Sequence, residues 1–183
     1  MKERIASNSG LNATGLPIAT FHALSLRILK SIGEAIGVPR DFDIWTKNFE
    51  RERVVRELQK PVIQAGLYKD VDDEEKTAKK ALEYIDAVRE ELLDPEDASI
   101  RAAELHNKAN IAHCEVYAAY ESYLTKENKI DFPRMAQLAC KALKKNIETA
   151  GNYAKGYKHV LVDEFWNAPI RWSMINVNAK WDF

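Results

Sequence analysis

The sequence predicts a mainly α-helical protein, with a helical block inserted between two short strands of an incomplete α/β domain. Three observations carry this expectation. Apolar residues recur at helical spacing in successive stretches from Phe21 to Leu143. Short apolar runs at Leu16–Thr20 and His159–Val162 read as strands on either side. Glycine and proline number only 7 and 6 in 183 residues, which suits helices. About 135 residues separate the two strand-like runs, far more than a one-helix crossover between parallel strands needs.

Element by element, Met1–Gly10 reads as the tail of a helix and Asn12–Gly15 as a polar turn. Leu16–Thr20 is a short strand or an extended lead-in. Leu24, Ile28, Leu29, Ile32, Ala35 and Ile36 then mark a helix that Gly37 and Pro39 stop. Asp41–Ile44 is a connector, and Trp45–Gln64 a second helix kinked or ended at Pro61. The acidic run Asp70–Glu75 suits an exposed turn and a helix start, because negative charge is favourable at a helix N-terminus. A third helix follows from Asp73 to Leu93 on Ala78, Leu82, Ile85 and Val88.

Asp94-Pro95-Glu96-Asp97 breaks the pattern. One long helix is expected over Glu96–Lys126, with Ile100, Ala103, Leu105, Ala109, Ala112, Val116, Tyr120 and Tyr123 as its apolar positions. Asp131 is the expected N-cap of a last long helix, with Pro133 in its first turn and Met135, Leu138, Ala139, Ala142 and Leu143 on its buried face. The strand at His159–Val162 leads to a short helix-like end bearing Trp166, Trp172 and Trp181.

Lys and Arg total 27 against 28 Asp and Glu, a net charge of −1. Bulk charge therefore gives no reason to expect nucleic-acid or membrane binding, and any DNA contact has to be local. Cys114 and Cys140 match no metal or redox spacing and read as reduced thiols of a cytoplasmic protein. No apolar run is long enough to span a bilayer and none resembles a signal peptide, so no membrane partner is expected.

The strongest chemical signal is Asp163-Glu164, two carboxylates at the carboxyl end of an apolar strand. Ligands of α/β folds bind at that end. One reading is half of a nucleotide-hydrolysing site, where one carboxylate holds Mg²⁺ and the other positions the attacking group. The other is a buried strand followed by a solvated acidic turn. The sequence contains no phosphate loop of the form G-x-x-x-x-G-K-[ST]. Gly151 to Gly156 has the glycine spacing, but Tyr157 stands where lysine is required, and the segment precedes a strand instead of following one.

Thr20-Phe21-His22 is the second signal. A hydroxyl, an aromatic face and an imidazole at a helix N-terminus suit a sugar-phosphate strand. An ordinary cap, a core ring and a surface histidine suit the same residues. Weaker candidates are His106 and His113 with Cys114 on one helix face, too few for a zinc site. Lys141, Lys144 and Lys145 form a basic strip, and Tyr117, Tyr120 and Tyr123 read mainly as helix-packing residues.

In order along the chain, these landmarks resemble the UvrD/Rep-type superfamily 1 ATP-dependent DNA helicases. Thr20-Phe21-His22-Ala23-Leu24-Ser25-Leu26-Arg27-Ile28-Leu29 is similar to the family's segment entering the helical subdomain 1B. Gly37-Val38-Pro39-Arg40-Asp41-Phe42-Asp43-Ile44, the tyrosines with Ile130-Asp131-Phe132, and Leu161-Val162-Asp163-Glu164-Phe165 resemble later landmarks, the last being motif II. The resemblance implies a sliver of the first RecA-like domain at 1–22, a 1B-like helical subdomain at 23–155, and the motif II strand and tail at 156–183. It implies Asp163 as the Mg²⁺ ligand, Glu164 as the activator of water, and Thr20, Phe21 and His22 along single-stranded DNA. Mg²⁺ and ATP are the implied cofactors of the intact enzyme, which unwinds DNA in replication or repair. DNA, at single strand and duplex junction, and the rest of the helicase are the implied partners. Trp166, Asn167 and Ala168 depart from motif II. The alternative expectation is a stand-alone, non-enzymatic module binding DNA or a helicase. Unpaired strand edges at 16–20 and 159–162 would allow a homodimer.

Without a phosphate loop, the 183-residue chain is expected to turn over no ATP and to bind neither ATP nor Mg²⁺ well. A coupled ATPase assay checks this, and turnover that disappears in Glu164→Gln would overturn it.

Overall fold

A computed structural model of the chain describes residues 18–68, 71 and 73–146, with the isolated positions 7, 148, 151 and 152. Its described part is mainly helical, and most helix starts are set by a side chain. Thr20, in extended conformation (φ −73°, ψ 161°), caps α1 (Phe21–Ile32), accepting a hydrogen bond from Ala23 N. Asp73 caps α3 (Glu74–Glu90) through Glu75 N and Lys76 N. Asp94 caps α4 (Pro95–Glu104), Asn107 caps α5 (Lys108–Lys126) and Asp131 caps α6 (Phe132–Lys145). Each carboxylate, amide or hydroxyl satisfies first-turn N–H groups that no helix carbonyl can reach. Among the described α-helices, only α2 (Asn48–Gln64) starts without a side-chain cap.

Three expectations need correction. The single helix over Glu96–Lys126 is two helices, α4 and α5. His106 takes a left-handed conformation (φ 53°) between them, and Asn107 restarts the chain as an N-cap. Ile100, Ala103, Leu105 and Ala109 are consequently exposed, whereas Ala112, Val116 and Tyr120 are buried and Tyr123 half-buried. A break changes the helical phase, so one periodic template could not fit both sides.

Second, the Asp41–Ile44 connector and the start of the expected Trp45–Gln64 helix contain strand β1 (Asp43–Trp45). It pairs in parallel with β2 (Lys129–Asp131), with Ile44 opposite Ile130. Three-residue strands are too short for an alternating pattern to register.

Third, of the two readings of Leu16–Thr20, the strand is not seen over Ile18–Thr20 while the extended lead-in agrees with Thr20; Leu16 and Pro17 lie outside the described residues. The expected helix tail at 1–10, apart from residue 7, and the strand at His159–Val162 lie outside the described residues.

Helix ends follow local chemistry. After α1 a 3₁₀ turn, Gly33–Ile36, runs into Gly37 at φ 81°, and α2 is followed by Gly66 at φ 71°. Only glycine adopts these left-handed conformations without strain. Pro61 stays inside α2, which continues to Gln64. The carbonyl clash and lost N–H of an internal proline are tolerable at an exposed position one turn from the end.

Among the described residues, two apolar cores result. α2, α3, α4 and α5 bury Val55, Ala78, Leu82, Ile85, Ala102, Val116, Tyr117, Tyr120 and Leu124, with Trp45 of β1. α1 and α6 bury a second set, Ile28, Leu29, Met135, Ala139 and Leu143, with Val38, Phe42 and Ile130. Among the described residues no helix is long and apolar enough to cross a membrane.

Buried charge joins the two cores. Arg89 of α3 is fully buried; its Nη1 lies 3.1 and 3.0 Å from the two carboxylate oxygens of Asp131. Its Nε and Nη2 donate to Glu121 Oε1 at 3.1 and 2.6 Å. Arg51 of α2 sits with Nε 3.0 Å from Asp131 Oδ2 and donates from Nη2 to Asp86 Oδ1 at 2.6 Å. Tyr120 O–H donates to Asp131 Oδ2 at 2.8 Å, and Arg134 Nε to Glu121 Oε2 at 2.7 Å. The guanidinium of Arg89 also lies over the rings of Tyr117 and Tyr120, 5.3 and 5.2 Å from their centroids.

Breaking such a network from one side leaves buried charge uncompensated. Arg89→Ala is expected to destabilise the fold by about 3–5 kcal/mol, read from urea denaturation. An unchanged midpoint would show that the network contributes nothing net.

Candidate nucleic-acid interface

The start of α1 is built by Thr20. Its hydroxyl accepts from Ala23 N at 3.2 Å and its carbonyl from Leu24 N at 3.0 Å. The Ser25 hydroxyl donates to Phe21 O at 2.9 Å, tightening the first turn. Thr20 and His22 are exposed, and Phe21 is half-buried. The His22 ring packs on Phe132 of α6, with centroids 4.6 Å apart and planes tilted by 56°. No acidic residue stands in the first turn of α1. A helix N-terminus carries partial positive charge, which favours an anionic group such as a phosphodiester.

Thr20, Phe21 and His22 stand together at a helix start, the first and last exposed and the ring between them half-buried. Asp163 and Glu164 lie outside the described residues. His106 and His113 do not share a helix, because the chain breaks at His106. Among the described residues no cluster of histidine, cysteine and carboxylate side chains could hold a metal. Cys114 and Cys140 are buried and do not form a disulfide with each other. Tyr117 and Tyr120 are buried and Tyr123 is half-buried against Trp45, so none presents a free ring face. Lys141 is 3.2 Å from Asp94, leaving Lys144 and Lys145 exposed in the expected basic strip.

Burial sets the protonation of the inner groups. It pushes the Asp131 carboxyl up, but Arg89, Arg51, Arg134 N–H and the Tyr120 hydroxyl outweigh it and hold the group below the usual carboxylate range. Asp86 is raised by burial despite Arg51. Tyr117 is pushed up to about 12, chiefly by burial. His113 sits between Tyr68 and Tyr84, with Nδ1 2.8 Å from the Tyr68 hydroxyl. Burial, aided by Lys80, lowers its pKa to about 4.

Sequence reasoning missed Phe132 as the partner of His22. It also missed Arg51 and Arg89 as interior charges, although their positions carried a signal. Arg51 shares the buried face of α2 with Val55, Gln59 and Val62, and Arg89 that of α3 with Ala78, Leu82 and Ile85. An arginine at an apolar phase points inward and demands partners.

Known proteins similar to this chain are DNA helicases. A probable DNA helicase II homolog of Mycoplasma capricolum is 29% identical over 165 residues, covering 90% of this chain and 22% of its own length. ATP-dependent DNA helicase PcrA of Leuconostoc citreum is 26% identical over 185 residues, covering 98% and 23%. ATP-dependent DNA helicase Rep of Escherichia coli is 27% identical over 166 residues, covering 90% and 23%. The chain therefore spans less than a quarter of the length of these relatives. Residues 1–177 match the UvrD/REP helicase N-terminal domain, and the chain belongs to that family.

His113 makes the fold sensitive to acid. Its folded pKa of about 4 lies below the ordinary 6.5, so the unfolded chain takes up the proton first. Its contribution is complete above the unfolded value and is lost as pH falls from there towards the folded one. Thermal melts across that window should fall less steeply for His113→Gln than for the parent chain; identical slopes would contradict this.

Proposed function

We propose that this chain supplies the DNA-contacting N-terminal region of an ATP-dependent DNA helicase. Residues 23–155 are read as the inserted 1B subdomain, and 1–22 and 156–183 as parts of the first RecA-like domain. Thr20, Phe21 and His22 lie along the path of the single strand, and the helical block faces the duplex junction. The observation that carries the reading is the start of α1, with Thr20 and His22 exposed and no acidic residue in its first turn, in a chain of a helicase family. A strand phosphate meets the positive end of the helix while the imidazole meets the adjacent sugar or base.

Asp163 and Glu164 offer hard oxygen donors of the kind that Mg²⁺ prefers. In the intact enzyme Asp163 would hold Mg²⁺, and Glu164 would orient and deprotonate the attacking water. When bound, the metal ion neutralises charge on the phosphates of ATP. The rest of the phosphate site and the rest of the helicase are the partners this region requires.

Fluorescence anisotropy of the 183-residue chain with a labelled single-stranded oligonucleotide tests the DNA contact. Affinity should fall as salt rises, and His22→Ala should weaken it several-fold at low salt, on the order of one aromatic–base contact. Full affinity in His22→Ala would place the strand elsewhere and sink the assignment.

A further inference from the structure

We infer that Phe132 is the positioning residue for His22, holding the imidazole in place for the single strand; this rests on the DNA reading of the α1 start. Three observations carry it. The His22 and Phe132 rings meet at 4.6 Å with a 56° tilt, a geometry that suits the aromatic quadrupole. His22 is exposed in the first turn of its helix, and no hydrogen bond to another described residue holds its ring. Among the described residues, the ring contact is what selects its rotamer.

The third observation is the stiffness of Phe132. It is the first residue of α6 and follows Asp131 directly. Asp131 is fully buried, caps α6 through Arg134 N at 2.9 Å, pairs with Trp45 in the strand ladder, and is held by Arg89, Arg51 and Tyr120. Pro133 fixes the backbone on the other side. A ring carried on so constrained a backbone is a rigid support, and α1 and α6 share one apolar core. Phe132 thereby connects the interior charge network to an exposed side chain at the proposed strand contact. Its own ring need not touch DNA.

The test combines a spectroscopic readout with a double-mutant cycle on the 183-residue chain. The imidazole resonances of His22, assigned by their loss in His22→Ala, should carry a ring-current shift. That shift should vanish in Phe132→Leu and persist in Phe132→Tyr, which keeps the ring. Oligonucleotide affinity should fall about three-fold in Phe132→Leu, as expected for one aromatic pair, and recover in Phe132→Tyr. His22→Ala combined with Phe132→Leu should bind no worse than His22→Ala, because the effect runs through His22. Thermal melts of each variant verify folding, and the Phe132→Tyr comparison stands even if Phe132→Leu unfolds.

Additive losses, an unshifted His22 resonance, or full DNA affinity in Phe132→Leu while His22→Ala is weak would each overturn the inference. If His22→Ala keeps full affinity, the DNA reading itself fails and the inference falls with it. That case is recognised because the ring-current shift is still present.

Discussion

The structure depends on keeping one buried carboxylate ionised. Asp131 is fully buried, and a carboxylate there stays charged only if it is paired and hydrogen-bonded. Four elements meet that demand together: Arg51 from α2, Arg89 from α3, Tyr120 from α5 and the Arg134 N–H from α6. Asp86 and Glu121 complete the charge balance, three carboxylates against Arg51, Arg89 and Arg134. Buried pairs of this kind are weak evidence of net stability, since desolvation offsets much of their attraction. Their value lies in selectivity. A packing that misplaces any one of the four elements leaves a charge stranded, so the network specifies a single arrangement of helices that apolar surfaces alone would define less sharply.

The same network positions the candidate interface. The α2–α5 core and the α1–α6 core share no single helix, so a joint between them has to come from elsewhere. Asp131 supplies it as the end of β2 and the cap of α6. A second attachment lies further along α6, where Gln137 and Tyr117 both donate to the Leu93 carbonyl, at 2.8 and 3.1 Å. With α6 fixed at two places, α1 is laid against it through Ile28, Leu29, Met135 and Leu143. The orientation of Thr20 and His22 is therefore inherited from interior contacts in other helices.

What the sequence disclosed follows the range of the interactions involved. Caps are local, and Asp131 with Pro133 and Thr20 before Phe21 were readable because a cap needs only the next three residues. Buried faces of α3 and α6 were readable for a similar reason, since each is set by one helix's own period. The break at His106 was not, because a non-glycine residue in a left-handed conformation leaves no compositional mark, and Asn107 as a cap looks like any surface asparagine. β1 and β2 were hidden by their length, and their pairing joins segments far apart in sequence. The contact between His22 and Phe132 is the extreme case. Both residues stood in recognisable motifs, yet nothing local to either specifies the other.

A chain of net charge −1 that contacts DNA has to do so without a long-range field. Here three arginines are committed to the interior network, and the proposed contact relies instead on a helix N-terminus, a hydroxyl and an imidazole. The attraction of a helix dipole fades within a turn and is screened by salt. A surface of this kind, as proposed, attracts a strand only over a few ångströms, so its affinity for a free oligonucleotide is expected to show at low salt. On the proposed reading, rigidity matters more than charge at this site. When the attractive forces are short-ranged, a displacement of the imidazole by a rotamer removes the interaction entirely, and a buried, ion-anchored support such as the Asp131–Phe132 step is the kind of structure that prevents it.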